Sequence, residues 1–99
     1  MPDGHVLSDV AVRGLRRIWD YGADRWSEDR ADEHVLGLGR AFALISAHPE
    51  IGRARDDVDD GLRVHSHQTH VILYRVRSGG VRIVRVLGAR QDWERAPLA

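Results

Sequence analysis

Residues 70–88 read HVILYRVRSGGVRIVRVLG, two runs rich in β-branched residues joined by Ser78-Gly79-Gly80, the mark of a tight turn between two strands. Alternate residues of a strand face opposite sides of its sheet, so the runs assign their own faces. Simple alternation puts Ile72, Tyr74, Val76, Val84 and Val86 on one face and Val71, Leu73, Arg75, Ile83, Arg85 and Leu87 on the other. Both faces carry apolar side chains, the pattern of central strands covered on two sides. A third β pattern precedes them at Leu62–His67, and Val6-Leu7 is a short extended piece near the start.

Two helical patterns lie between those strands. Ser8 or Asp9 caps a helix expected from about Asp9 to Arg25, in which Val12, Leu15, Ile18, Trp19 and Trp26 recur at helical spacing. Ser27 caps the next, with Glu28 and Asp29 at the positive end of its dipole and Ala31, Val35, Leu38, Phe42 and Ile45 forming its stripe. It should end near Ala47, before His48-Pro49. The two-residue junction Trp26-Ser27 predicts an antiparallel hairpin. The expected fold class is therefore α+β: a helical hairpin on one face of a small, mainly antiparallel sheet, in the order β-α-α-β-β-β. Further turn signals fall at Met1–Asp3 and across His48–Gly61, which contains the acidic run DDVDDG. A short hairpin covers only one sheet face. The other needs an acidic partner chain, the tail from Asp92, or a second copy.

At 99 residues the chain is expected to form one domain, residues 1–99. It has no cysteine, which excludes disulfide scaffolds, thiol chemistry and thiolate zinc sites. The start MPDGHVLSDV lacks a signal-peptide pattern and no apolar run approaches the ~18 residues of a membrane span, so a cytoplasmic location is expected. Fifteen basic residues, all Arg, balance fifteen acids. The halves differ: residues 1–60 hold eight Arg and thirteen acids, net −5, and residues 61–99 hold seven Arg and two acids, net +5. Such a balance does not support a globally basic surface reading nucleic-acid sequence.

Few residues demand chemistry. His65, His67 and His70 form HxHxxH, with the first two on one strand face where imidazoles can share a metal, but no acidic ligand is near and solvated histidines at a turn explain them. DDVDDG lacks the spacing and final Glu of a calcium loop, and phosphate-cradling, GxSxG and HExxH motifs are absent. RNA cleavage needs cations, which Arg63, Arg75, Arg85 and Arg90 offer, and a base and acid from among His65, His67, His70, Tyr74 and Asp92. No spacing selects that pair. No catalytic residue, metal or cofactor is assigned.

The order of motifs resembles the RelE/ParE superfamily of bacterial toxins, on its ParE branch. VLSDVAVRGLRRIWDYGADRW is similar to that branch's extended start and Ile-Trp-x-Tyr helix. HPEIGRARDDVDDGLR resembles its middle loop through Pro49, Gly52, Arg53, Gly61, Leu62 and Arg63, and HVILYRVRSGGVRIVRVLGARQDW its hairpin through His70, Tyr74, Arg75, Arg85, Val86, Leu87, Arg90 and Asp92. The likeness spans about residues 6 to 95. It implies a type II toxin that inhibits DNA gyrase by binding rather than catalysis, held in a hetero-oligomer by a ParD-like antitoxin. On that reading Val71, Leu73, Arg75, Ile83, Arg85 and Leu87 bind the antitoxin, with the two Arg pairing to its carboxylates, and Arg63, Arg90, Asp92 and Trp93 contact the target. The alternatives are a RelE-like ribosome-dependent mRNA endoribonuclease and a degenerate, non-toxic antitoxin-binding module. The charge balance and Trp93 in the segment where RelE nucleases carry Tyr count against the nuclease. Gly88 departs from the branch, whose last strand commonly ends Val-Leu-His, a change that bears on potency if that position touches the target.

Overall fold

Ser8 and Ser27 start the two helices as their side chains allow: each hydroxyl accepts an amide N–H three residues on, from Ala11 and Arg30. In the computed structural model, which describes residues 4–98, β1 (Gly4–Leu7) leads into α1 (Asp9–Arg25) and α2 (Glu28–Ala47). There follow β2 (Arg53–Ala54), β3 (Arg63–His67), β4 (His70–Arg77), β5 (Gly80–Gly88) and a 3-10 turn at Trp93–Arg95. The turn signal at Met1–Asp3 lies outside the described residues. The sheet has the order β1-β5-β4-β3-β2, with β1 parallel to β5 and all other pairs antiparallel. This is the expected α+β arrangement, with β2 added where the sequence reads as loop.

Both hairpins turn on left-handed residues. Gly79 and Gly80 (φ +91° and +144°) close β4–β5, and Gln68 (φ 53°) closes β3–β4 between His67 and His70. Between helices and sheet, Ala11, Leu38, Phe42 and Ile45 pack on Ile72, Tyr74, Val81, Ile83 and Val86. A second core lies on the opposite face, formed by Leu62, Val64, Val71, Leu73, Val84 and Leu87 beneath Val58, Trp93, Ala96 and Leu98.

The two cores correct the face assignment of β5. Leu73 pairs with Arg85 but Tyr74 pairs with Ile83, so Val84 is one residue too many on its strand, a β-bulge. Ile83 therefore turns toward the helices, and Val84 joins the opposite core. Ser8 holds the bulge: its hydroxyl donates to the Val84 carbonyl at 2.6 Å and its amide to the Ile83 carbonyl at 2.9 Å. The helix cap and the strand irregularity are one construction.

Candidate functional site

The face opposite the helices is the first place to look for a partner, and the chain's own tail occupies it. Val71, Leu73 and Leu87 are buried there, and Ile83 faces the helices, so none of the four is an open docking residue. Of the covers the sequence allows, the tail from Asp92 is the one present. Arg55 clamps it. Its guanidinium bonds the Asp57 carboxylate at 2.9 and 2.8 Å and Glu94 at 2.5 Å, and lies 5.1 Å over the Trp93 ring. The hydrogen bonds to Asp57 and then Glu94 raise the Arg55 pKa above its ordinary value, and that to Arg55 holds the Asp57 carboxyl below its own. Within the chain Arg75 bonds the Asp59 carboxylate, and Arg85 donates to the Pro97 carbonyl at 2.8 Å.

The residues expected to face the target divide. Arg63 is a structural clip, its Nε donating to the Gly52 carbonyl at 3.1 Å and Nη2 to the Glu50 carbonyl at 3.3 Å. Trp93 anchors the tail beneath Arg55. Arg90 and Asp92 are exposed, Asp92 lying 3.5 Å from Arg95. Tyr74, a candidate proton donor by sequence, is fully buried, donating to the Pro49 carbonyl at 2.6 Å and accepting from the Gly52 amide at 2.9 Å. A Cβ at position 52 would stand 2.5 Å from that hydroxyl, which explains the glycine. Gly88 ends β5, its amide donating to the Gln91 side chain at 2.8 Å.

A groove of about 830 Å³ lies elsewhere, between α1 and the end of β5. Val10, Gly14, Ile18 and Tyr21 line it along one stripe of α1, and Val86, Leu87 and Gly88 along β5. The helix lies so close to the strand that a Cβ at Gly14 would be 3.1 Å from the Val86 carbonyl. At the mouth, Tyr21 and Trp26 remain 58% exposed and meet edge to face, centroids 6.2 Å apart. Trp19, by contrast, ties α1 to α2 by donating to Asp32 at 2.7 Å. Arg17, Arg85, Arg90, His34 and His70 supply the groove's basic groups, and no Asp or Glu lines it. His34 Nε2 lies 3.3 Å from His70 Nδ1 at one end, and burial first, then His34 and His67, push the His70 pKa down. Helical spacing groups Trp26 with the apolar stripe and gives no sign that Trp26 and Tyr21 are exposed, and the groove itself joins segments some 70 residues apart.

Two helices packed on a five-stranded mixed sheet define a small α+β fold. A profile of the ParE toxin of type II toxin-antitoxin systems (parDE) matches residues 6–93. The chain is 38% identical over 96 residues to Toxin ParE1 of Mycobacterium tuberculosis, covering 96% of this chain and 98% of that protein. Toxin ParE3 of Caulobacter vibrioides is 39% identical over 90 residues, 90% of each chain. Its fold resembles that of a chain from the chromosomal ParDE system of P. aeruginosa, at a TM-score of 0.77 and 16% identity, covering 88% of this chain and 96% of the other. The chain belongs to the ParE toxin family of type II toxin-antitoxin systems. Among the described residues no helix is long and apolar enough to cross a membrane.

Proposed function

We propose that this toxin inhibits DNA gyrase by binding it and is neutralised by a ParD-like antitoxin whose C-terminal segment lies in the groove between α1 and β5. The observation that carries the antitoxin's seat is the groove's makeup: an apolar floor, exposed Tyr21 and Trp26, and a rim with Arg and His but no carboxylate. An amphipathic segment with acidic flanks suits such a surface. Family membership supports the gyrase target, with exposed Arg90 and Asp92 as its contacts. Binding rather than RNA cleavage fits the occupied state of the cations, since Arg63, Arg75 and Arg85 already serve backbone carbonyls or Asp59.

The test is induction of the chain alone, followed by gyrase supercoiling and cleavage assays with purified protein. Growth arrest with gyrase inhibition and intact transcripts is expected; cleaved transcripts with unaffected gyrase would replace this reading with ribonuclease action. Healthy cells would mark a disarmed copy and direct attention to Gly88. For the antitoxin, the exposed pair Arg17→Glu and Arg90→Glu should weaken the complex by more than tenfold, and unchanged affinity would reject the groove.

A further inference from the structure

Two histidines from distant parts of the chain meet in the wall of the groove between α1 and β5. His34 Nε2 on α2 lies 3.3 Å from His70 Nδ1 at the start of β4, with ring centroids 5.0 Å apart. The sheet leaves His70 uncovered on the side of β5, because its cross-strand partner is Gly88, which has no side chain. Among the described residues, His34 Nδ1 and His70 Nε2 bond to no protein atom, and neither is sealed from solvent as His67 Nε2 is. These two outer nitrogens are therefore within reach of a ligand.

A count of protons shows what the pair can do. Two neutral imidazoles carry two ring protons. One lies between the facing nitrogens, whichever ring donates it, and the second sits on an outer nitrogen, so the other outer nitrogen is bare. A third proton fits on that bare nitrogen without disturbing the shared bond. A fourth would set N–H against N–H. The pair thus has room for one added proton, and with it both outer nitrogens are donors.

The surroundings favour an anion as the partner of that charge. Arg17 from α1 and Arg85 and Arg90 from β5 and the turn beyond it line the same groove, and no Asp or Glu does. From β3, His67 adds to the positive side, and the Thr69 hydroxyl stands 3.4 Å from His70 Nδ1. His34 also borders a smaller cleft of about 510 Å³ between α2 and β3, lined by Arg30, Arg40 and His65 with Glu33 as its one carboxylate. Burial and then the neighbouring histidines leave His70 neutral near pH 7.5 in the free toxin.

We propose that the His34–His70 pair is a carboxylate seat, into which an Asp or Glu of the antitoxin's acidic segment docks, and that the pair gains one proton as it docks; this rests on the antitoxin lying in the groove. The carboxylate accepts a charge-assisted bond from an outer ring N–H and supplies the countercharge that the toxin lacks there. An anion that favours the charged pair draws a proton from solution, so affinity rises as pH falls, by up to about tenfold per pH unit where uptake is complete. Below about pH 6, where histidine charges without help, the dependence levels off.

The experiment is titration calorimetry of the full-length toxin with the full-length ParD-like polypeptide encoded beside its gene, in phosphate and in Tris at pH 7.5, whose different ionisation heats report the protons taken up. An uptake close to one proton is expected, with binding at least about fivefold tighter at pH 6.5 than at pH 8. His34→Gln with His70→Gln, amides that keep a hydrogen bond between the two positions, should abolish the uptake and flatten the pH profile, whereas His67→Gln should leave both. Ring NMR signals of the unsubstituted protein give a second reading: His70 should titrate at higher pH in the complex than in the free toxin. An unmoved His70 midpoint, or uptake that survives the double glutamine variant, would overturn the seat and leave the two rings as a structural tie between α2 and β4. Arg17→Glu with Arg90→Glu tests the groove separately. If those reversals weaken the complex but no proton is taken up, the seat alone fails; if they leave affinity intact, the groove reading fails and the seat with it.

Discussion

Replacing Tyr74 with Phe removes one oxygen from the interior and tests whether that residue is structural or chemical. Its hydroxyl links β4 to the start of the loop after α2, donating to the Pro49 carbonyl at 2.6 Å and accepting from the buried Gly52 amide at 2.9 Å. Each bond contributes about 0.5–1.5 kcal/mol net, and the amide left without a partner adds to the loss, so we expect a cost of about 2–3 kcal/mol. Arg63 still grips the Glu50 and Gly52 carbonyls, which keeps the loop in place and the cost from growing further. At ~4–8 °C per kcal/mol for a domain of this size, the melting temperature should fall by roughly 8–24 °C. Urea unfolding should show a lower midpoint at an unchanged slope. A loss under about 0.5 kcal/mol would refute the claim that this hydroxyl pins the loop. Toxicity per folded molecule should survive below the melting range. If instead toxicity disappears while stability is intact, Tyr74 takes part in chemistry and the ribonuclease reading returns.

Ser8→Ala removes the α1 cap and the donor to the bulged Val84 carbonyl together; a cost of about 1–3 kcal/mol in denaturant unfolding is expected, and a neutral result would show the bulge holds by itself. Arg55→Ala should free the tail, seen as faster proteolysis within residues 92–98 and faster amide exchange in β4 and β5; an unchanged cleavage rate would mean the apolar contacts of Trp93, Ala96 and Leu98 suffice. His67 and His70 both have pKa values lowered in the folded state, so the unfolded chain binds more protons as pH drops. Stability should accordingly fall from about pH 7 toward pH 5, and the fall should shrink in His67→Gln.

Much of the secondary structure is legible residue by residue. Ser8 and Ser27 mark the helix starts, His48-Pro49 the end of the second, and the tight turn at Ser78–Gly80 the central hairpin, because caps and turns depend on neighbours in the chain. The apolar second face of the sheet was equally readable. Its cover was not, since Trp93, Ala96 and Leu98 show no strand or helix period and meet Val71 and Leu73 only through folding. The reassignment of Ile83 and Val84 has a similar origin: counting by twos assumes equal strands, whereas Ser8, 76 residues from Val84, supplies the hydrogen bond that an unequal pair requires. Arg75 bonds Asp59 of the chain's own DDVDDG loop, a contact across 16 residues that strand alternation does not show.

Local periodicity and capping thus determined by sequence alone that this chain is a helical hairpin followed by a three-stranded meander, and the order of its motifs placed it among the ParE toxins. Tertiary structure alone decided which surface is free. The sheet face that looked open is closed by the tail, while clefts open between α1 and β5 and between α2 and β3, pairs of elements distant in the chain. The physical reason is one of range: hydrogen bonding in caps and turns acts over three or four residues, whereas a cleft exists only where packing brings separate segments together and leaves space between them.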